Sequence, residues 1–366
     1  MSTFNAGNAS RGVSIPEAAN NIITMGHIFT YVNEGDMGSG KTALLDIVGD
    51  ALPNHKKFYF DCTTKMDSGD VMIPKMKELD GNDFVRFAIN EELGAHLSGP
   101  IAVMLDEIGK GNDSLKNALL RFMYERKIGN NELHPESIVF ATTNLGAEGV
   151  GDILPPHARN RVCVSRLLKP TAIEWIEWGY YNNIDPTVLA WVNDNPKALQ
   201  SFTEVEDPRE NEMIYHPQQQ RLAFVTPRSL ERASVIISNK DRITSRSLKD
   251  NLIGTIGAPA AASLLSHLRF ASQLPSLDEI KNDPMNAKIP TDSAAMCLLV
   301  FRTLSQIERN WVPQWMKYLT RLSSEAVALF AMQVIRDTYK HRSMVMTCPD
   351  FMKWAVDNKH LTSADI

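Results

Sequence analysis

Residues Gly35 to Thr42 read Gly-Asp-Met-Gly-Ser-Gly-Lys-Thr, a glycine-spaced run that closes on a lysine and a hydroxyl. It fits the spacing G-x-x-x-x-G-K-[ST] at every fixed position. The chemistry this suits is anion binding. Backbone N–H groups of the loop Gly35, Asp36, Met37, Gly38, Ser39 and Gly40 point inward, and the start of a helix adds partial positive charge. Lys41 is predicted to reach the β- and γ-phosphates of a nucleoside triphosphate, and Thr42 to hold Mg²⁺. A hydrophobic run, Ile28 to Val32, precedes the loop, and the helical pattern Thr42-Ala-Leu-Leu-Asp-Ile-Val-Gly follows it. That strand–loop–helix setting separates a nucleotide site from a chance glycine turn.

Phosphate binding alone is not catalysis, and four further groups supply what it lacks. Ile101-Ala-Val-Met-Leu-Asp106-Glu107 is an apolar strand ending in two carboxylates, at the end of a parallel strand where ligands bind. Asp106 suits the Mg²⁺ hydration shell and Glu107 suits polarising an attacking water; adjacent strand residues point to opposite faces, which allows two roles. A second apolar strand, Ile138-Val-Phe-Ala-Thr-Thr-Asn144, ends in an amide able to bond a γ-phosphate and a water, or to cap the next turn. Leu154-Pro-Pro-His-Ala-Arg159-Asn-Arg161-Val sets two guanidinium groups before an apolar strand, and their planar forks match phosphate oxygens. Arg228 follows Thr226-Pro227 in the first turn of a helix, where a surface arginine is the ordinary alternative.

These groups need a frame. Short apolar strands, Ile28–Val32, Lys57–Asp61, Ile101–Leu105, Ile138–Thr142 and Val162–Arg166, alternate with helical patterns, which predicts an α/β fold with a doubly wound parallel sheet. After Lys169-Pro170 little β pattern returns. The organisation expected is an N-terminal arm over 1–21, a nucleotide-binding core over 22–168, a helical lid over 169–274 with a polar loop or insertion at Ser201–Gln220, and a helical C-terminal region over 275–366. Thr226 is the expected N-cap of a helix with Pro227 in its first turn. Methionines and tryptophans crowd the last third, from Met296 to Trp354, and read mainly as core, with a docking face as the lesser alternative.

At 366 residues the chain has room for two or three domains, and its charged fraction of 22% is ordinary for a globular protein. The net charge of −5 argues against broad electrostatic capture of nucleic acid. Four scattered cysteines with no C-x-x-C pair read as reduced core thiols. No apolar run reaches membrane-spanning length and the N-terminus lacks a signal pattern, so a soluble protein of the cytoplasm is expected.

In this order the five elements resemble the AAA+ ATPases: Walker A, Walker B, sensor 1, arginine finger and sensor 2. More narrowly, Asp106-Glu107-Ile with Lys116-Asn-Ala-Leu-Leu-Arg-Phe-Met-Tyr-Glu-Arg126-Lys-Ile, Phe140-Ala-Thr-Thr-Asn144 and Thr226-Pro-Arg228 resemble the MoxR family. The long insertion before sensor 2 is similar to that of the MoxR-like ATPases of bacteriophages and prophages. The resemblance spans residues 22 to 240. It implies a P-loop NTPase core with a helical lid, ATP and Mg²⁺ as ligands, and residence in a bacterial or phage-infected host cytoplasm. Lys41, Thr42 and Asp106 would hold nucleotide and metal, and Glu107, Asn144 and Arg228 would be Walker B glutamate, sensor 1 and sensor 2. Arg161 aligns best with the family's finger element, with Arg159 as the alternative; Val162 stands where the family usually has Phe. A finger acts in trans, so the resemblance implies a homo-oligomeric ring, commonly a hexamer, working on a protein client, with a von Willebrand factor A protein as a candidate partner. The competing reading is a DNA-acting AAA+ protein, resting on Lys65, Lys75, Lys77 and the basic residues from Lys240 to Lys249. Asp67 to Lys77 reads as a loop that faces the pore or client, or plain solvent.

Overall fold

The computed structural model describes residues 12–145, 156–271 and 274–362, and divides after Lys169 into two compact units. The first eleven residues of the expected arm, and Leu154 and Pro155 ahead of the arginine pair, lie outside the described residues.

Among the described residues the first unit holds nine strands: β1 (Tyr31–Gly35), β2 (Lys56–Asp61), β3 (Met72–Leu79), β4 (Asn82–Ile89), β5 (Ile101–Asp106), β6 (Lys127–Ile128), β7 (Asn131–Glu132), β8 (Ile138–Asn144) and β9 (Cys163–Leu167). Five of them form one wholly parallel sheet in the order β2-β5-β8-β1-β9. Its helices are α1 (Ile15–Met25), α2 (Ala43–Ala51), α3 (Asp113–Glu125) and α4 (Pro156–Arg159).

The alternation of side chains sorts the core. Ala102 and Met104 of β5, with Ile138 and Phe140 of β8, pack under α1 and α2 against Ile22, Leu44 and Val48. Their neighbours Val103, Leu105, Val139 and Ala141 face the other way, onto Leu115, Leu119 and Phe122 of α3. Strands covered on both faces run apolar over most of their length, and β5 and β8 are buried from end to end, with polar residues confined to their C-terminal ends.

The sheet begins earlier in the chain than the sequence pattern suggests. Ser14 caps α1 in a capping box with Glu17, and Val13 bridges Leu167 in parallel, its N–H donating to Arg166 O at 2.8 Å. The stretch from Val13 to 21, expected as an arm ending in a short helix, is thus tied to the sheet edge, with Ala18 and Ala19 buried. The first strand is also displaced: Ile28 is exposed in the turn that ends α1, and pairing runs from Tyr31 to Gly35. Arg126 locks this entry, its guanidinium donating to Thr30 Oγ1 at 2.6 Å and to the Met123 and Gly26 carbonyls at 2.7 Å. Burial pulls Arg126 down to about 10.

The stretch expected as a loop at Asp67–Lys77 is instead a short turn, Ser68–Asp70, leading into β3, which pairs with β4 as an antiparallel ribbon. Asp80 and Gly81 both have positive φ, 53° and 76°, the two-residue turn that suits the twist of a hairpin.

The second unit is helical, opening with α5 (Ala172–Tyr181), α6 (Pro186–Asp194) and α7 (Pro227–Ser238). Thr226 caps α7 with Pro227 in the first turn, as the sequence predicts. One buried cluster runs from Trp175 to Phe351, taking in Trp191, Leu230, Leu264, Phe301, Trp315 and Phe330. That cluster crosses residue 274 without a break, so no gap in the core separates 169–274 from 275–366. Of the methionines and tryptophans in the last third, Trp311 and Trp315 are buried whereas Met332 and Met352 are exposed. The Ser201–Gln220 stretch is irregular but tied down: the Arg221 guanidinium donates to the carbonyls of Pro208, Asn211 and Ile214. No helix among the described residues is long and apolar enough to cross a membrane.

Candidate nucleotide site

The loop from Gly35 to Thr42 leaves the C-terminal end of β1 and enters α2. Gly38 and Gly40 have φ of 69° and 97°, a region that side chains disfavour, so the turn needs glycine there. Lys41 folds back over the loop. Its Nζ donates to the carbonyls of Gly35 at 2.9 Å and Asp36 at 3.0 Å, and to Asn144 Oδ1 at 2.6 Å. Thr42 stands at the N-cap of α2 with helical backbone, and its hydroxyl makes no capping bond.

Strand order explains why these residues meet. β8 lies between β1 and β5, so Asn144, at its end, registers with Gly35 on one side while Thr142 sits beside the end of β5 on the other. The Thr142 hydroxyl donates to Asp106 Oδ1, which also accepts the Glu107 N–H at 3.1 Å. The second carboxylate oxygen, Oδ2, accepts the Tyr59 hydroxyl at 2.7 Å. Asp106 is buried and held by three donors, all from the chain itself. Sequence reasoning missed Tyr59 and Thr142, although both precede strand ends by two residues and therefore share a face with them.

Glu107 departs from the sequence expectation. The strand stops at Asp106, and Glu107 has φ 52° and ψ 41°, opening the turn Ile108–Lys110. The two carboxylates are thus parted by a turn and not by strand alternation. A left-handed glutamate costs roughly 1–2 kcal/mol, a strain typical of functional sites. Its Oε2 lies 3.4 Å from Lys110 Nζ, an ion pair without hydrogen-bond geometry.

Buried polar atoms without partners gather at the same edge: Asp36 Oδ2, Ser39 Oγ, Thr143 Oγ1, Asn144 Nδ2, and both side-chain atoms of Asn33. Each such atom costs about 1–3 kcal/mol unless something completes it. A glycine-turned cradle, a lysine and a polar rim at a helix start fit a polyphosphate. A Thr42 hydroxyl and one oriented Asp106 carboxylate fit Mg²⁺, which takes one or two protein ligands and fills the rest with phosphate oxygens and water. Asn33 was invisible in the sequence because a polar residue inside a strand reads as a strand end.

The arginines differ in setting. Arg161 is exposed and lies over the Tyr124 ring of α3 at 5.3 Å. Arg159, at the end of α4, acts electrostatically on Glu34, as does Arg166. Burial pushes the Glu34 carboxyl up, and the two arginines only partly offset this. A carboxyl raised on folding lends stability fully below its unfolded value, near 4.5, and loses it as pH rises through the folded value. Glu34→Gln should therefore raise the melting temperature at neutral pH and leave it unchanged below about pH 4.5; scanning calorimetry across that range checks it. Arg228 is exposed in the first turn of α7, in the second unit.

The wholly parallel sheet, the phosphate loop after β1 and the carboxylate at the end of β5, with β8 between those two strands, define a P-loop NTPase fold, as the sequence predicts. The fold is similar to the RuvB Holliday junction branch migration motor of Thermotoga maritima at 16% identity and TM-score 0.35, covering 82% of this chain and 86% of that one. It is also similar to NtrX from Brucella abortus in complex with ADP, at 12% identity and TM-score 0.40, covering 97% of this chain and 70% of that one. No family model matches the chain, and no curated protein does.

Proposed function

We propose that this chain is a ring-forming, Mg²⁺-dependent ATPase of MoxR type that turns hydrolysis between subunits into remodelling or maturation of a protein partner. What carries the reading is the Lys41–Asn144 bond at 2.6 Å, which ties the phosphate loop to the strand that also orients Asp106. Lys41 would hold the β- and γ-phosphates, and Thr42 and Asp106 would hold Mg²⁺. When bound, the metal neutralises charge on the phosphate oxygens. Glu107 would take the proton of the attacking water, and the Asn144 amide would donate from Nδ2 to phosphate or water. Arg161 would act on the neighbouring subunit's nucleotide, and Arg228 would report on the nucleotide from the helical unit. The ring is proposed as a hexamer working in a bacterial or phage-infected cytoplasm, with a von Willebrand factor A protein as the first partner to seek.

Two observations weaken the DNA-acting alternative. Lys65 is paired with Glu92 at 2.6 Å and lies over Phe60, and Lys240 and Arg246 have carboxylates of Asp241 and Asp250 within 4 Å, at 3.8 and 3.9 Å.

The test is Mg²⁺-dependent ATP turnover by the purified chain together with its sedimentation with and without nucleotide. Lys41→Ala should weaken nucleotide affinity by roughly 10–100-fold, the loss of a charge-assisted contact. Absent turnover, with binding unaffected by Lys41→Ala, would sink the reading.

A further inference from the structure

The β3–β4 ribbon is anchored at its base and, at Phe87, beside Gly129. At the base Asn90 bonds the Val71 and Asp70 carbonyls, at 3.1 and 2.8 Å, and Met72 and Ile89 pack on the core. Beyond those contacts its two faces are exposed, and they carry opposite charge. Directly opposed residues of an antiparallel pair share a face, about 4.5–5.5 Å apart. Lys75 faces Arg86 and Lys77 faces Phe84 on one side, and Ile73 joins them. On the other side Glu78 faces Asp83 and Met76 faces Val85.

Each face thus places like charges directly opposite one another, an arrangement that destabilises an isolated ribbon. Among the described residues none of Lys75, Lys77, Arg86, Glu78 and Asp83 has an ion-pair partner. Each face also exposes apolar surface: Ile73 at 56% and Phe84 at 39% on the basic side, Met76 at 66% and Val85 at 46% on the acidic side. One ribbon is therefore the complement of another. Lys75 and Arg86 lie three residues before Glu78 and Asp83 on the way to the ribbon tip, about 10 Å of rise, so two ribbons stacked face to face and displaced by that amount bring acid onto base.

We infer that the ribbon is a subunit contact, the basic face of one copy seated on the acidic face of the next. This is a head-to-tail contact, the type that closes into rings. It rests on the ring proposed above and adds the surface that holds it. A nucleic acid or an acidic peptide would engage the basic face alone and leave Met76 and Val85 in water.

Two double variants test it, K75E/R86E and E78K/D83K. Each keeps one like-charge pair on each face, so the ribbon's own stability is matched to wild type, which circular dichroism verifies. Each alone meets its own charge across the contact and should raise the concentration for half-assembly with nucleotide by about tenfold or more. An equimolar mixture restores opposite charges at every contact and should return within about twofold of wild type. Added salt should weaken wild-type assembly, since exposed charges are screened over about 8 Å at physiological ionic strength.

Variants that assemble as wild type does, or a mixture that fails to recover, overturn the stacking while the ring stands. A loss confined to K75E/R86E, accompanied by lost affinity for a single-stranded oligonucleotide or a polyglutamate peptide, overturns it in favour of that ligand. Wild type that stays monomeric with nucleotide overturns ring and stacking together.

Discussion

Glu107→Gln should lower ATP turnover by about 10²–10⁴, the usual contribution of a positioned general base, while nucleotide affinity changes little. The separation follows from geometry. The residues that would bind phosphate are Lys41, Thr42 and Asp106, none of which depends on the Glu107 carboxylate; only its backbone N–H supports Asp106, at 3.1 Å. Glutamine keeps that N–H and the side-chain length, and tolerates the left-handed backbone about as well as glutamate. It loses the negative charge that accepts a proton and faces Lys110. Single-turnover rates alongside equilibrium binding of a fluorescent ATP analogue decide the matter. Equal turnover in variant and wild type would remove Glu107 from the chemistry. The slow variant is also the means to hold a client: capture on Glu107→Gln with ATP, but not with ADP, should enrich the protein partner.

The second large effect concerns the arginines. Arg161→Ala should reduce turnover by about 10³–10⁵ if the guanidinium acts in trans on the transferring phosphoryl group. The motif resemblance puts Arg161 first, with Arg159 as the alternative. Arg159 acts on Glu34 in the strand that leads into the loop of its own subunit, whereas Arg161 lies against the Tyr124 ring on α3. Mixing distinguishes the two. Arg161→Ala subunits retain an intact loop, and Lys41→Ala subunits retain an intact arginine. Each preparation alone should be inactive, and their mixture should regain activity at junctions that combine the two. Arg159→Ala mixed with Lys41→Ala should not recover if that residue serves its own subunit. Recovery by Arg159→Ala, with Arg161→Ala indifferent, would reverse the assignment.

Much of this site was legible because its signals are local. A phosphate loop is a fixed spacing, and Ile101–Asp106 and Ile138–Asn144 are apolar runs with polar ends, visible without knowledge of what lies beside them. What escaped was set by pairing. That Thr142 and Tyr59 hold Asp106 depends on β8 and β2 flanking β5, which no single strand reveals. The first strand was misplaced because Val32-Asn33-Glu34 has too little apolar content to mark a strand, and only the partners on both sides make it one. The ribbon escaped for a different reason. Its charges and its proline read as loop, although Asp80-Gly81 between alternating runs is a strong hairpin signal. Glu107 turning out of the strand is a backbone event that composition does not encode.

The unbroken core of the helical unit has a consequence for how the chain loses its structure. Side chains from Trp175 to Phe351 form one buried set, so the helices before and after residue 274 stabilise each other. Cutting the chain there would uncover apolar faces on both fragments and leave neither with a closed interior. The unit should therefore melt in one cooperative step, and a stable fragment is to be sought by cleaving at the Lys169–Pro170 junction, where the two cores part.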